Sequence, residues 1–202
     1  MIRLARDGGI WTLTLDRPDK ANALTEDMLT AMVRILEDAA EARAVILTGS
    51  GRVFSAGADL DAARAGLATS PLWERLSGAI AGLPCLTIAA LNGTVAGGAV
   101  GMVVASDLRI AVPDMRVFYP VMKLGFLPQP SDPGRMAALI GPARTKLILM
   151  GGQKITANEA LSYGLIDRIV EDVALIEVAR SIGADTLAAK PDFASTIKAM
   201  CR

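Results

Sequence analysis

Apolar and polar residues alternate through IWTLTLDR from Ile10, the period-two pattern of a half-buried strand. PDKANALT breaks that pattern with Pro18 and turn formers, and Thr25 followed by Glu26 and Asp27 reads as a helix N-cap with acids in the first turn. The helix EDMLTAMVRILEDAAE then places Met28, Leu29, Met32, Ile35 and Leu36 on one side. RAVILTGSG and CLTIAALNG are short apolar runs closed by glycine turns, as buried strands require. Between them lie VFSAGADL and a moderately polar helical stretch over 61–83 that Pro84 ends.

Past the segment NGTVAGGAVGMVVASD, the patterns DLRIAVP and MRVFYPV predict two more strands. KLGFLPQPSDPG, with three prolines, predicts a loop lying over another part of the molecule. From Met136 onward the chain reads as mainly helical, with turn signals at GPAR, GGQKITANEA and SYGLIDRIV. The succession strand, glycine turn, helix occurs twice, around 49–60 and 91–101. The expected architecture is therefore an α/β core over 1–140 followed by a helical region over 141–202.

Composition narrows the chemistry. In 202 residues, 52% hydrophobic, Lys+Arg and Asp+Glu both number 21, so no net charge favours a nucleic-acid backbone. The chain has no histidine, which removes Ser–His triads, Cys–His pairs and imidazole-ligated metals. Cys85 and Cys201 stand far apart without metal-ligand spacing and read as free thiols of a reducing compartment. MIRLARDGGI lacks the apolar region of a signal peptide, and no apolar run approaches the ~18–20 residues of a membrane span. The expectation is a soluble cytoplasmic protein with no metal and no nucleic-acid or membrane partner.

Two segments combine glycine with a following helix. In SAGADL the amide of Ala58, and in AGGAVG the amide of Gly98, would lie at or near a helix start. Such amides are unpaired donors in a partly positive field and favour an oxyanion. AGGAVG lacks the spacing of a dinucleotide fingerprint, and GSGRVFSAG lacks the Gly-Lys-Ser/Thr of a phosphate loop. Each loop alone reads more readily as a turn or a device for close packing of chain against chain.

LDRPDKANALT, GSGRVFSAGADL, PCLTIAALNGTVAGGAVGMVVASDLRIA, KLGFLP and ITANEALSYGLIDRIV follow one another in this order over residues 10–198. Together they resemble the crotonase, or enoyl-CoA hydratase/isomerase, superfamily. The resemblance implies a crotonase-like spiral of strand–strand–helix units with two stacked sheets, assembled as trimers or hexamers. It implies an acyl-CoA substrate, coenzyme A being part of that substrate and no separate cofactor being needed, with a role in fatty acid metabolism. The carbonyl-polarising amides fall on Ala58 and Gly98, a side chain at Gly98 being expected to obstruct the thioester oxygen. Ala56, Gly57, Asp59 and Leu60 of the first loop would adjoin the substrate.

The chain departs from the pattern at two positions. Where hydratases of the family hold a water between two glutamates, this sequence has Gly101 and Val121. Ordinary hydration, which needs both a base and an acid, is thereby put in doubt. Asp132 in the proline loop is the candidate acid/base, against its alternative as a turn residue between Ser131 and Pro133. Tyr119 and Gln129 are candidate hydrogen-bond donors to the acyl group, or else a core aromatic and a solvated loop residue. Arg17 and Lys20 flank a turn that would lie beside the nucleotide, and either binds phosphate or is a surface charge. Asp61 and Arg64 reach the pocket mouth or lie on a solvated face, and Asp59 supports the loop through local backbone bonds. The resemblance also implies further helices after TIKAMCR, so the pocket is expected to be more open here or capped by a partner. Two functions follow: an acyl-CoA-processing lyase or isomerase with atypical acid/base groups, or a non-catalytic acyl-CoA-binding homologue. Decarboxylation suffers least from the lost glutamates.

Overall fold

The alternating and apolar runs build two sheets in a computed structural model that describes residues 1–201. The strands are β1 (Ile2–Asp7), β2 (Ile10–Leu15), β3 (Ala44–Gly49), β4 (Val53–Ser55), β5 (Leu86–Leu91), β6 (Thr94–Ala96), β7 (Leu108–Ala111), β8 (Arg116–Phe118), β9 (Ile155–Thr156) and β10 (Arg168–Ile169). The helices up to the middle of the chain are α1 (Glu26–Glu37), α2 (Leu60–Arg64), α3 (Leu72–Gly82), α4 (Ala99–Ala105) and α5 (Val121–Leu124). Those that follow are α6 (Asp132–Leu149), α7 (Ala157–Tyr163), α8 (Leu175–Ile182), α9 (Ala184–Ala188) and α10 (Pro191–Met200).

The larger sheet has the order β1-β2-β3-β5-β7-β10 and the smaller one β4-β6-β8-β9. The pairs β3/β4, β5/β6 and β7/β8 each send their first strand to the larger sheet and their second to the smaller, and helices follow. Within each sheet these successive strands pair in parallel. Three turns of one strand–strand–helix spiral result, the architecture the sequence implied. The central strands β3 and β5 are buried over five of their six residues each, and all but Thr48 and Thr87 of those buried residues are apolar, because both their faces are covered.

Helix α1 begins where its cap predicts: the Thr25 side chain accepts from the Met28 amide at 3.3 Å. Its buried face is Met28, Leu29, Met32, Val33 and Leu36; Val33 replaces Ile35, which is only half-buried. The stretch 61–83, expected as helical, consists of α2, a 3₁₀ turn over Leu67–Thr69 and α3, because Gly66 at φ +108° and then Pro71 interrupt it. MRVFYPV is not one strand either: β8 stops at Phe118, and Pro120 with Val121 opens α5. Residues 141–201 are mainly helical, and they also supply β9, antiparallel to β8, and β10, parallel to β7. Helix α6 crosses the expected boundary and breaks at Gly141, just before Pro142. No helix among the described residues is long and apolar enough to cross a membrane.

Candidate active site

Adjacent parallel strands release their chains at the same edge of a sheet, so the segments after β4 and β6 emerge side by side. Gly57 at φ +90° and Gly97 at φ +56° turn the two segments. A Cβ on Gly57 would lie 2.8 Å from the Ala96 carbonyl oxygen, and one on Gly97 would lie 3.7 Å from the Gly57 Cα. The turns are thus in backbone contact, and only glycine permits both the approach and the left-handed backbone. The next residue in each segment is Ala58 and Gly98, respectively.

Neighbouring bonds fix which way these two amides face. Leu24 donates to the Gly57 carbonyl at 2.7 Å and accepts from the Asp59 amide at 2.8 Å. In an extended chain this turns the Ala58 N–H away from Leu24. Gly97 donates to the Phe118 carbonyl at 3.1 Å, while Gly98 caps α4. Among the described residues neither the Ala58 nor the Gly98 N–H has an acceptor. Both residues line one cavity of about 390 Å³, whose walls include Trp73, Phe118, Tyr119 and Phe126. Arg64 is the sole formally charged residue among those described along it.

The first loop is held by a polar frame. Buried Asn22 donates to the Ser50 and Val53 carbonyls at 2.9 and 2.7 Å and accepts from the Arg17 amide at 2.8 Å. Ser55 Oγ donates to the Asn22 carbonyl at 2.8 Å and accepts from the Gly57 amide at 3.1 Å. Asp59 caps α2 through the Asp61 and Ala62 amides, and its other oxygen meets Arg17 Nη1 at 2.7 Å. The Arg17 hydrogen bond, then the Ala62 amide, holds the Asp59 carboxyl below its ordinary range.

Arg17 therefore clamps the loop and does not line the cavity; Lys20 is exposed at the end of a short 3₁₀ turn. Ala56 lines the cavity, and Leu60, 73% exposed, stands at its mouth. Asp61 and Arg64 pair with each other at 3.0 Å on a solvated face. At Gly98 the steric reason differs from the expected one. An added Cβ would lie 2.9–3.0 Å from the ring of Trp73, which is buried and bonded through Nε1 to the Leu67 carbonyl at 2.8 Å. The glycine makes room for tryptophan.

Asp132 is neither a turn residue nor exposed. It is the first residue of α6 and is completely buried. Tyr119 Oη donates to its Oδ2 at 3.0 Å, and the Gln129 amide donates to Tyr119 Oη at 3.4 Å. Oδ1 has no partner among the described residues. Burial first of all, with the nearby Glu74 charge adding to it, pushes the carboxyl up to about 6 against the pull of Tyr119 and Arg135. Glu74 in turn accepts from the Ser131 amide at 3.2 Å and from the Ser131 hydroxyl. Sequence reasoning missed Trp73, Glu74 and Asn22; the only local trace is Asn22 within the turn-forming run ANALT.

The family model for enoyl-CoA hydratase/isomerase matches residues 5–202. Carnitinyl-CoA dehydratases of Salmonella enteritidis PT4 and Salmonella typhi are 34% identical over 211 aligned positions, covering all of this chain and 80% of theirs. The chain belongs to the enoyl-CoA hydratase/isomerase family. Solved structures agree. An enoyl-CoA hydratase from Bacillus anthracis superposes with TM-score 0.90 at 30% identity, over 98% of this chain and 80% of that one. An enoyl-CoA hydratase/isomerase from Pseudoalteromonas atlantica T6c gives 0.91 at 27%, over 99% and 82%.

Within this member of the enoyl-CoA hydratase/isomerase family, the two positions implied for hydratase glutamates have different surroundings. Val121 lines the cavity as the first residue of α5. Gly101 is buried in α4, and a Cβ there would sit 2.8 Å from Asp132 Oδ1. One position offers the cavity an aliphatic wall. The other faces a carboxylate brought in from a different helix.

Proposed function

We propose that this protein processes acyl-CoA thioesters, polarising the thioester carbonyl with the Ala58 and Gly98 amides while protons move at the adjoining carbons. The observation that supports it most is the contact between the Gly57 and Gly97 turns, each followed by an amide without an acceptor, at one apolar cavity. Two preorganised donors in a water-poor site stabilise an enolate oxygen, and losing one typically costs on the order of 3–4 kcal/mol of barrier. The apolar walls suit an acyl chain, and exposed Lys20 is the phosphate contact of this reading. Coenzyme A enters as part of the substrate.

Isomerisation of an enoyl thioester and dehydration of a 3-hydroxyacyl thioester both pass through such an enolate. The second is the kind of reaction named for the carnitinyl-CoA dehydratase relatives. Asp132 is the acid/base group of this reading. Assembly into trimers or hexamers belongs to it too, and exposed Phe193, Ile197 and Met200 on α10 offer apolar surface that subunit contacts would cover. A second reading, acyl-CoA binding without turnover, is favoured by the absence of any acid at Gly101 and Val121.

Incubation with 2-enoyl-, 3-enoyl- and 3-hydroxyacyl-CoA thioesters of graded chain length, read by mass spectrometry and calorimetry, tests the proposal. Turnover of at least one series is the expected result. Tight binding with no turnover would transfer support to the second reading. Neither binding nor turnover would overturn both.

A further inference from the structure

We propose that Tyr119 and Asp132 form a proton relay that replaces the carboxylate missing at Gly101, the hydroxyl meeting the substrate and the carboxylate receiving the proton behind it. The inference rests on the acyl-CoA reading above and adds to it the route of the proton.

Three observations converge. The space beside Gly101 is filled: an added Cβ would meet Asp132 Oδ1 at 2.8 Å, Oδ2 at 3.0 Å and Cγ at 3.2 Å. A carboxylate thus lies where a side chain at position 101 would begin, delivered from the start of α6 instead of from α4. Secondly, Oδ1 is buried and unpartnered among the described residues. A buried acceptor without a donor is disfavoured in a purely structural carboxylate and calls for an explanation. Thirdly, Asp132 has no exposed surface and does not line the cavity, whereas Tyr119 does line it and donates to Oδ2 at 3.0 Å. The tyrosine is the bridge between the carboxylate and the cavity.

In the forward step the substrate Cα–H bond breaks and its proton passes to Tyr119 Oη, whose own proton passes to the Asp132 carboxylate. The electron pair left on carbon moves into the thioester, and the resulting enolate oxygen lies on the Ala58 and Gly98 amides. Return of a proton to the same carbon, after the relay has traded its own with solvent, gives exchange, and delivery to the γ-carbon of an enoyl thioester gives isomerisation. No other reactant is consumed. The charges that set the relay's pH range are Glu74 from α3, which opposes ionisation of Asp132, and Arg135 from α6, which favours it. No residue of α4 titrates. Because the carboxyl stands at about 6, the active, ionised form accumulates as pH rises through that value.

The test is α-proton exchange of butyryl-CoA in D2O, followed by mass spectrometry across pH 4–9, with the infrared band of the bound 1-¹³C carbonyl as control. Wild-type protein should exchange with a rate that rises through the region near pH 6 and then levels. Asp132→Asn and Tyr119→Phe should each slow exchange at least 100-fold, with the carbonyl band still shifted, and the Asn variant should lose the acidic limb. Wild-type exchange without an inflection near pH 6 would overturn the relay even if neither variant folds. So would either variant exchanging at the wild-type rate. A shifted carbonyl with no wild-type exchange would refute the relay alone, whereas an unshifted carbonyl would refute the acyl-CoA reading beneath it.

Discussion

Gly101 and Asp132 lie on different helices, yet each sets the limits of the other. Alanine at 101 would press a methyl group against a fully buried carboxylate, and overpacking of this kind costs ~1–3 kcal/mol. The Gly101→Ala variant should therefore lose stability in urea melts, and adding Asp132→Gly should restore much of the loss. Contacting residues couple, whereas independent ones add. Strictly additive losses would show that the two positions do not share the space. Each half of this pair stood out in the sequence, Gly101 as a missing glutamate and Asp132 as a candidate acid/base, but their contact was not legible because no spacing rule joins the two. Gly98 carries the same lesson. Its smallness was visible, but the tryptophan it accommodates comes from α3, a helix whose packing partner no local pattern announces.

Short elements near the cavity owe their position to side-chain ties. Helix α2 has only five residues, too few to persist by backbone bonding alone, so Asp59, as its cap and as the partner of Arg17, is what orders it. Replacement Asp59→Ala should speed amide hydrogen exchange across 57–64 and leave β3 and β5 protected; an effect spread evenly over the sheets would contradict this role. Elements with a strong period were readable, as α1 and β2 show, because their buried faces are written in consecutive residues. The strands β4, β6 and β8 span three residues each and are too short to express a period. They carry the segments that build the cavity, so the sequence displays the glycines of the site more clearly than the strands that aim them. Edge strand β1 was hidden for another reason. Its outer positions carry Arg3 and Arg6, the first paired with Asp16 and the second lying over Trp11 at 4.1 Å, and such charges on an edge blunt the apolar signal.

At the scale of the whole chain, three spiral turns bring residues from α2, α3, α5 and the smaller sheet around one cavity, with Gly98 at the start of α4. The fold was legible from five motifs in order, since each encodes a local unit and the units stack by repetition. The arrangement of the cavity's chemistry was not, because Trp73 reaches the cavity from the first turn of the spiral and Tyr119, with Asp132 behind it, from the third. The account centres on two peptide N–H groups sharing one oxygen. The direct measurement is isotope-edited infrared spectroscopy of 1-¹³C-butyryl-CoA, free and bound. A thioester carbonyl held by both amides should move to lower frequency on binding; a bound ligand whose carbonyl absorbs where it does in water would contradict the account.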